Sequence, residues 1–453
     1  MSPGEEIFAP NLPDEPQSMQ FEVRVSGSIC ELRLNDAIAA ALAKHPMSRA
    51  RLVSGRFLAR APRWAIGRVG AEGVVCSEVI DNEEALNSLR DEFYSSLPDL
   101  RKAPAIRALL VHRLGGDSLL FNIHHSLMDG IGAIRWVNSV ARAYAGRADP
   151  VPEVDPLSVR DLSAFVPECA PTTSVEVAPQ TSSGIVSGVA RVVDRDEPGF
   201  GIVHQVISAE QCDRFDPSVY GRDTTVNDLL LAGLHLTIER WNRVCGGDSH
   251  RISILVPVNL RPIEWSNEVA SMVVIVDRNA TTPNDRADHR ALVAAVTSQM
   301  NRIRSGPGFS RFLGRPEWVR WLISNTILPM ILYTPRVVPV SIKGPVDSML
   351  FANMGRIDRK ISGFGPGAGD LTEFWASPPV TMPMGLGMDA AFLRGRIHLA
   401  LRYRRALFDR RAALQFLEIY LRSLTELAGA VDPDLPVRHD ERSASDGPDS
   451  SRD

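Results

Sequence analysis

Apolar and polar residues alternate near the start of the chain: Phe21, Val23 and Val25 are separated by Glu22 and Arg24, the period of a half-buried strand. Leu34 to Lys44 (LNDAIAAALAK) is rich in strong helix formers. It predicts a helix that stops at His45-Pro46, because proline disfavours helical geometry in the residue before it. Ala50 to Val53 then reads as extended. Leu109 to Leu114 and Leu119 to Ile123 are apolar runs flanking Gly115-Gly116-Asp117, a hairpin by composition. Ile131, Ile134, Val137 and Val140 recur at helical spacing up to about Tyr144. The loop between that second run and this helix is His124-His125-Ser126-Leu127-Met128-Asp129-Gly130.

From Asp149 to about Phe200 prolines, serines and valines dominate and periodicity is lost, the signature of a crossing linker. Ile202 to Ile207 reads as a strand that opens a second globular region. Ser208 with Gln211, and Thr225 with Asp228, form capping-box patterns; the second precedes a long amphipathic helix from Leu229 to Trp241. Ile252 to Val258, Ser271 to Val276, Val380 to Ala390 and Ile397 to Tyr403 read as strands, and Ala291 to Ile303 and Arg410 to Leu427 as helices. Trp318 to Tyr333 is apolar but interrupted by Ser324, Asn325 and Pro329; it reads as a buried helix, with contact to lipid or a greasy substrate as the alternative. Strands and helices interleave in both halves, so the expected class is α/β (α+β) with two lobes. The expected boundaries are an N-terminal lobe over 1–165, a linker over 166–200, a C-terminal lobe over 201–431 and a disordered polar tail over 432–453.

Length supports this division, since 453 residues exceed one ordinary core. A formal net charge of −4 offers no long-range attraction to phosphate, which argues against a nucleic-acid partner. Lysine occurs only at Lys44, Lys102, Lys343 and Lys360, so nearly all positive charge is arginine. Cys30, Cys76, Cys169, Cys212 and Cys245 are scattered and odd in number, which fits a reducing cytosol better than a disulfide framework. The N-terminal MSPGEEIFAPNLPDEPQ is acidic and proline-rich, unlike a signal peptide, and no run of about 18 apolar residues exists for a membrane span. These features predict a cytoplasmic protein without a transmembrane segment.

The loop HHSLMDG carries the candidate chemistry. An imidazole held in one pose takes a proton from a hydroxyl or amine near neutral pH. In an extended segment His124 and His125 point to opposite sides, so only one of them faces any given cavity. Asp129, four residues on, is placed to brace the loop by an ion pair, and Gly130 permits a tight turn. A two-histidine, one-carboxylate metal set of His124, His125 and Asp129 is the competing reading, opposed by the divergence of adjacent side chains and the lack of HExxH. A serine-hydrolase GxSxG is absent. Gly115 to Leu119 (GGDSL) resembles a phosphopantetheine attachment serine, yet its flanking strand-like runs favour a hairpin turn. Gly363 to Asp370 (GFGPGAGD) lacks the ending of a phosphate loop and reads as a flexible connection.

Taken together, LNDAIAAALAKHPMSRARLV, HHSLMDGIG, TTVNDLLLAGLHLTIERWN, VPVNLRP with NEVASMVV, FANMGRID and YRRALFD, in this order, resemble the condensation-domain-like acyltransferase superfamily. That group includes condensation domains of nonribosomal peptide synthetases, chloramphenicol acetyltransferase, polyketide-associated acyltransferases, alcohol acetyltransferases and wax ester synthases. The resemblance implies two chloramphenicol-acetyltransferase-like lobes forming a V with a central tunnel. It implies that His125 is the catalytic residue at mid-tunnel, with His124 beside it in the motif. It also implies that Asp129 points away and pairs with an arginine, for which Arg261 is the candidate, that Gly130 leaves room for the donor, and that Asn353 lines the tunnel. No permanently bound cofactor or metal is expected. Acyl-CoA or an acyl-phosphopantetheine carrier serves as co-substrate, a small alcohol or amine is the acceptor, and peripheral contact with lipid is possible. The alternative is a non-catalytic module that binds a carrier protein or partner enzyme.

Overall fold

The structure is a computed structural model that describes residues 5, 8–9, 16–53, 63–68, 70, 73–150, 186–193, 197–259, 261, 263–269, 274–304 and 347–429. The apolar segment 318–333, most of the expected linker and the polar tail lie outside these residues.

The first half contributes strands β1 (Ser18–Val25), β2 (Ala50–Val53), β3 (Arg63–Ile66), β4 (Val75–Val79), β5 (Ile106–His112) and β6 (Ser118–His124), with helices α1 (Glu31–Lys44), α2 (Glu83–Ser95) and α3 (Gly130–Tyr144). The second half contributes β7 (Phe200–Ile207), α4 (Val226–Val244), β8 (Ile252–Asn259), β9 (Val274–Thr281), α5 (His289–Arg304), β10 (Met349–Arg356), β11 (Leu371–Ser377), β12 (Leu386–Leu393), β13 (Arg396–Arg404) and α6 (Arg410–Leu427). Both expected capping boxes form, Ser208 with Gln211 and Thr225 with Asp228, each satisfying backbone groups that a helix start leaves open.

A five-stranded sheet runs β11-β1-β6-β5-β4 and a six-stranded sheet runs β7-β13-β12-β10-β8-β9. Helices α1 and α3 bury Leu34, Ile38, Leu42, Trp136, Val137 and Val140 against one face of the first sheet. Helices α4, α5 and α6 cover one face of the second through Leu230, Leu234, Val296 and Phe416. The other faces meet: Phe93 and Tyr94 of α2 and Leu109 and Leu120 of the first sheet form one cluster with Phe200, Ile202 and Ala400 of the second. The two-lobed α/β arrangement implied by the sequence is the observed one.

Three expectations need correction. The expected C-terminal lobe is not contiguous, because β11 leaves the second half and pairs antiparallel with β1, Phe21 opposite Ala376 and Val23 opposite Phe374. The strand expected over 380–390 starts only at Leu386, after Pro383, which cannot donate to a ladder. The strand expected over 271–276 is β9, displaced toward Thr281. The GGDSL segment is the β5–β6 hairpin as expected. Gly116 has φ 117° and a Cβ there would lie 1.9 Å from the Val25 carbonyl oxygen, so only glycine fits. Asp117 beside it accepts from the Ile29 N–H (2.7 Å) and the Ser28 hydroxyl (3.1 Å), which ties the turn to the end of β1.

Candidate active site

Strand β6 ends at His124, and the chain turns immediately into α3. The His124 ring is buried, and its Nδ1 accepts the Ser126 N–H at 3.3 Å. Burial, reinforced by neighbouring His125, pushes its pKa down to about 3, so it is neutral at physiological pH. Its role is to shape the loop.

His125 is placed differently. Its N–H donates to the Gln17 carbonyl at 3.0 Å, anchoring the loop to the start of β1. Its ring stacks on Phe8, centroids 4.0 Å apart and planes 7° from parallel, and is half-buried at the wall of a pocket between the sheets. Desolvation lowers its pKa; the carbonyls of His125 and Met128 and the Asp129 carboxylate oppose that shift. Nδ1 is buried.

Asp129 caps α3, its Oδ1 accepting the Gly132 N–H at 2.9 Å. The same oxygen lies 2.8 Å from Arg261 Nη2, with side-chain exposures of 2% and 3%, so the expected pairing is present and buried. Arg261 follows β8, and its guanidinium and N–H also reach the Asn259 side chain. The loop is thereby pinned by a residue from the other lobe. Gly130 is the first residue of α3 and has no left-handed φ, contrary to the tight turn expected for it. Its smallness matters for another reason: a Cβ would lie 3.0 Å from the Met354 methyl carbon. Asn353 lines the pocket as expected, donates to Asn227 at 2.9 Å and accepts the Gly355 N–H at 2.8 Å, where β10 bulges against β12.

The pocket, about 140 Å³, thus gathers His125, Asp129, Gly130 and Asn353; His124 and Arg261 stand behind its wall. Periodicity did not reveal three further residues. Phe8 covers the imidazole. Ser377, the last residue of β11, lines the pocket; the residue is 4% exposed, and its hydroxyl is buried with no hydrogen-bond partner among the described residues. Asp389 of β12 lies in register with pocket-lining Ala352 and is 1% exposed, with neither carboxyl oxygen bonded among the described residues. Burial drives its pKa far above the carboxylate range, against the pull of Lys360. Among the described residues no group of three His, Cys, Asp or Glu side chains could hold a metal ion. No helix among them is long and apolar enough to cross a membrane.

The two-lobed α/β fold that carries this pocket matches folds already known. The first condensation domain of the calcium-dependent antibiotic synthetase, solved with a substrate analogue, superposes with a TM-score of 0.65 at 15% identity, covering 92% of each chain. The SgcC5 protein from Streptomyces globisporus gives 0.64 at 18% identity over 94% of this chain and 98% of that one. The wax ester synthase/diacylglycerol acyltransferase from Marinobacter aquaeolei gives 0.59 at 15% identity over 95% and 99%. No family model matches the sequence. Two uncharacterized proteins from two strains of Mycobacterium tuberculosis are each 32% identical over 417 residues, 85% of this chain and 89% of theirs. The fold is therefore the CoA-acyltransferase/condensation fold. The chain belongs to one family with these mycobacterial proteins.

Proposed function

We propose that the protein is an acyltransferase that moves an acyl group from a phosphopantetheine thioester, on CoA or on a carrier protein, to an alcohol or amine. The observation that carries this reading is the His125 ring in the wall of the pocket at the lobe junction, on a loop braced by the Asp129–Arg261 pair. The His125 imidazole accepts the proton of the acceptor's O–H or N–H as that atom attacks the thioester carbonyl. The carbon–sulfur bond then breaks, and the proton passes to the departing thiolate. One ester or amide and one thiol result, with no covalent enzyme intermediate. Asp129 and Arg261 fix the loop and do not exchange protons.

His125→Ala is expected to lower turnover of an acyl-CoA panel with alcohol and amine acceptors by about 10²–10⁴-fold, the usual worth of a general base. Because burial lowers the His125 pKa, the base is already unprotonated at neutral pH. Activity should hold down to pH 6.5 and fall only as pH drops through the lowered value. Undiminished turnover in the alanine variant would remove His125 from the chemistry. Retained carrier binding with no turnover in wild type would mark a non-catalytic binding module instead.

A further inference from the structure

The room beside His125 is small and mostly greasy. Phe21, Pro257, Leu350, Ala352 and Pro379 supply apolar walls, and Phe8 closes it over the imidazole. At about 140 Å³ it is close to the engineered apolar cavity of about 150 Å³ that takes up benzene, so it suits a group of roughly six carbons. His125 marks where a reacting carbonyl would sit, and carbons attached to that carbonyl must occupy the space beside it.

We infer that the acyl group handled at this site is apolar and about six carbons in size, larger than acetyl and much shorter than a membrane-lipid chain. This rests on the acyltransferase reading. Ala352 sets the depth: it lies in the pocket wall, in register with Asp389 of β12, and every larger side chain there takes space from the pocket. Phe8 sets the opposite limit.

The test is equilibrium binding of S-acyl pantetheines (acetyl, butanoyl, hexanoyl, decanoyl and hexadecanoyl) to the full chain by titration calorimetry. Affinity should rise at least about tenfold from acetyl to hexanoyl, as buried methylene groups require, and then level off. Ala352→Leu should bring the plateau to shorter chains and Phe8→Ala should move it to longer ones; the two opposite shifts separate pocket size from misfolding. Equal affinity for acetyl and hexanoyl, a continuing rise to hexadecanoyl, or variants that leave the plateau in place would overturn the inference. So would hexanol binding as tightly as the hexanoyl thioester, which would give the pocket to the acceptor. A hexanoyl plateau without transfer to any acceptor would instead sink the acyltransferase reading and leave the pocket assignment standing.

Discussion

Asp389 sits inside the protein with no hydrogen-bond donor at either oxygen among the described residues, and the Lys360 charge favours its ionised form. Lys360 is itself partly desolvated, its ammonium donating to the Met354 carbonyl at 2.6 Å. The folded protein therefore holds a proton on Asp389 that the unfolded chain releases above the ordinary carboxylate range. A raised carboxyl pKa means that stability is fully present below the unfolded value and is lost as pH rises toward the folded one. Asp389→Asn cannot ionise. Its melting temperature should match wild type near pH 4 and exceed it by a margin that grows toward pH 8, as thermal melts across that range would show. A margin that does not change with pH would mean that the carboxyl is ionised in the fold. Neither Asp389 nor Ser377 could be singled out in the sequence, because whether a buried polar group finds a partner depends on strands far apart in the chain. His125 and Asp129 were legible because their spacing within one loop is local. Gly130 was legible as a residue but not in its cause, since the Met354 side chain that crowds it comes from β10.

The connection from β6 to α3 is the element that holds the proposed chemistry, and a buried ion pair braces it. Asp129 serves as N-cap and as partner of Arg261 at once, in a site nearly closed to water. Removing one member of a buried pair leaves the other uncompensated, at a cost of about 3–5 kcal/mol. Asp129→Ala and Arg261→Leu should each destabilise by about that much in urea titrations, while the double variant should lose clearly less than the sum. Additive losses would show that the two do not act as a unit. The Arg261 partnership was anticipated from the resemblance, not from periodicity. The strand Leu371–Ser377 was missed for a physical reason: Phe374, Trp375, Ala376 and Ser377 are all buried, so its second half offers no polar face to alternate with.

Across the molecule, Arg402 bridges the lobes. Its buried guanidinium on β13 donates to the carbonyls of Pro16 (3.0 Å) and Ser18 (2.9 Å) and to the Gln20 side chain (2.9 Å), and it lies over the Phe200 ring. Gln17, between those carbonyls, is the residue that accepts the His125 N–H. Arg402→Leu strands several buried acceptors, each worth about 1–3 kcal/mol. It should speed amide exchange in residues 16–24 and at His125 well before it affects α4 or α6. Uniform acceleration throughout would mean global loosening instead. The two-lobe plan was readable from the interleaving of strands and helices, but their interlocking was not, because it depends on one strand changing sheets. That exchange has a practical consequence for anyone dividing the gene. A fragment ending before Phe200 lacks the outer ribbon of its own sheet and presents the amides of β1 as a sticky edge. The halves should therefore need to be made together, in the same cell, to yield anything that stays in solution.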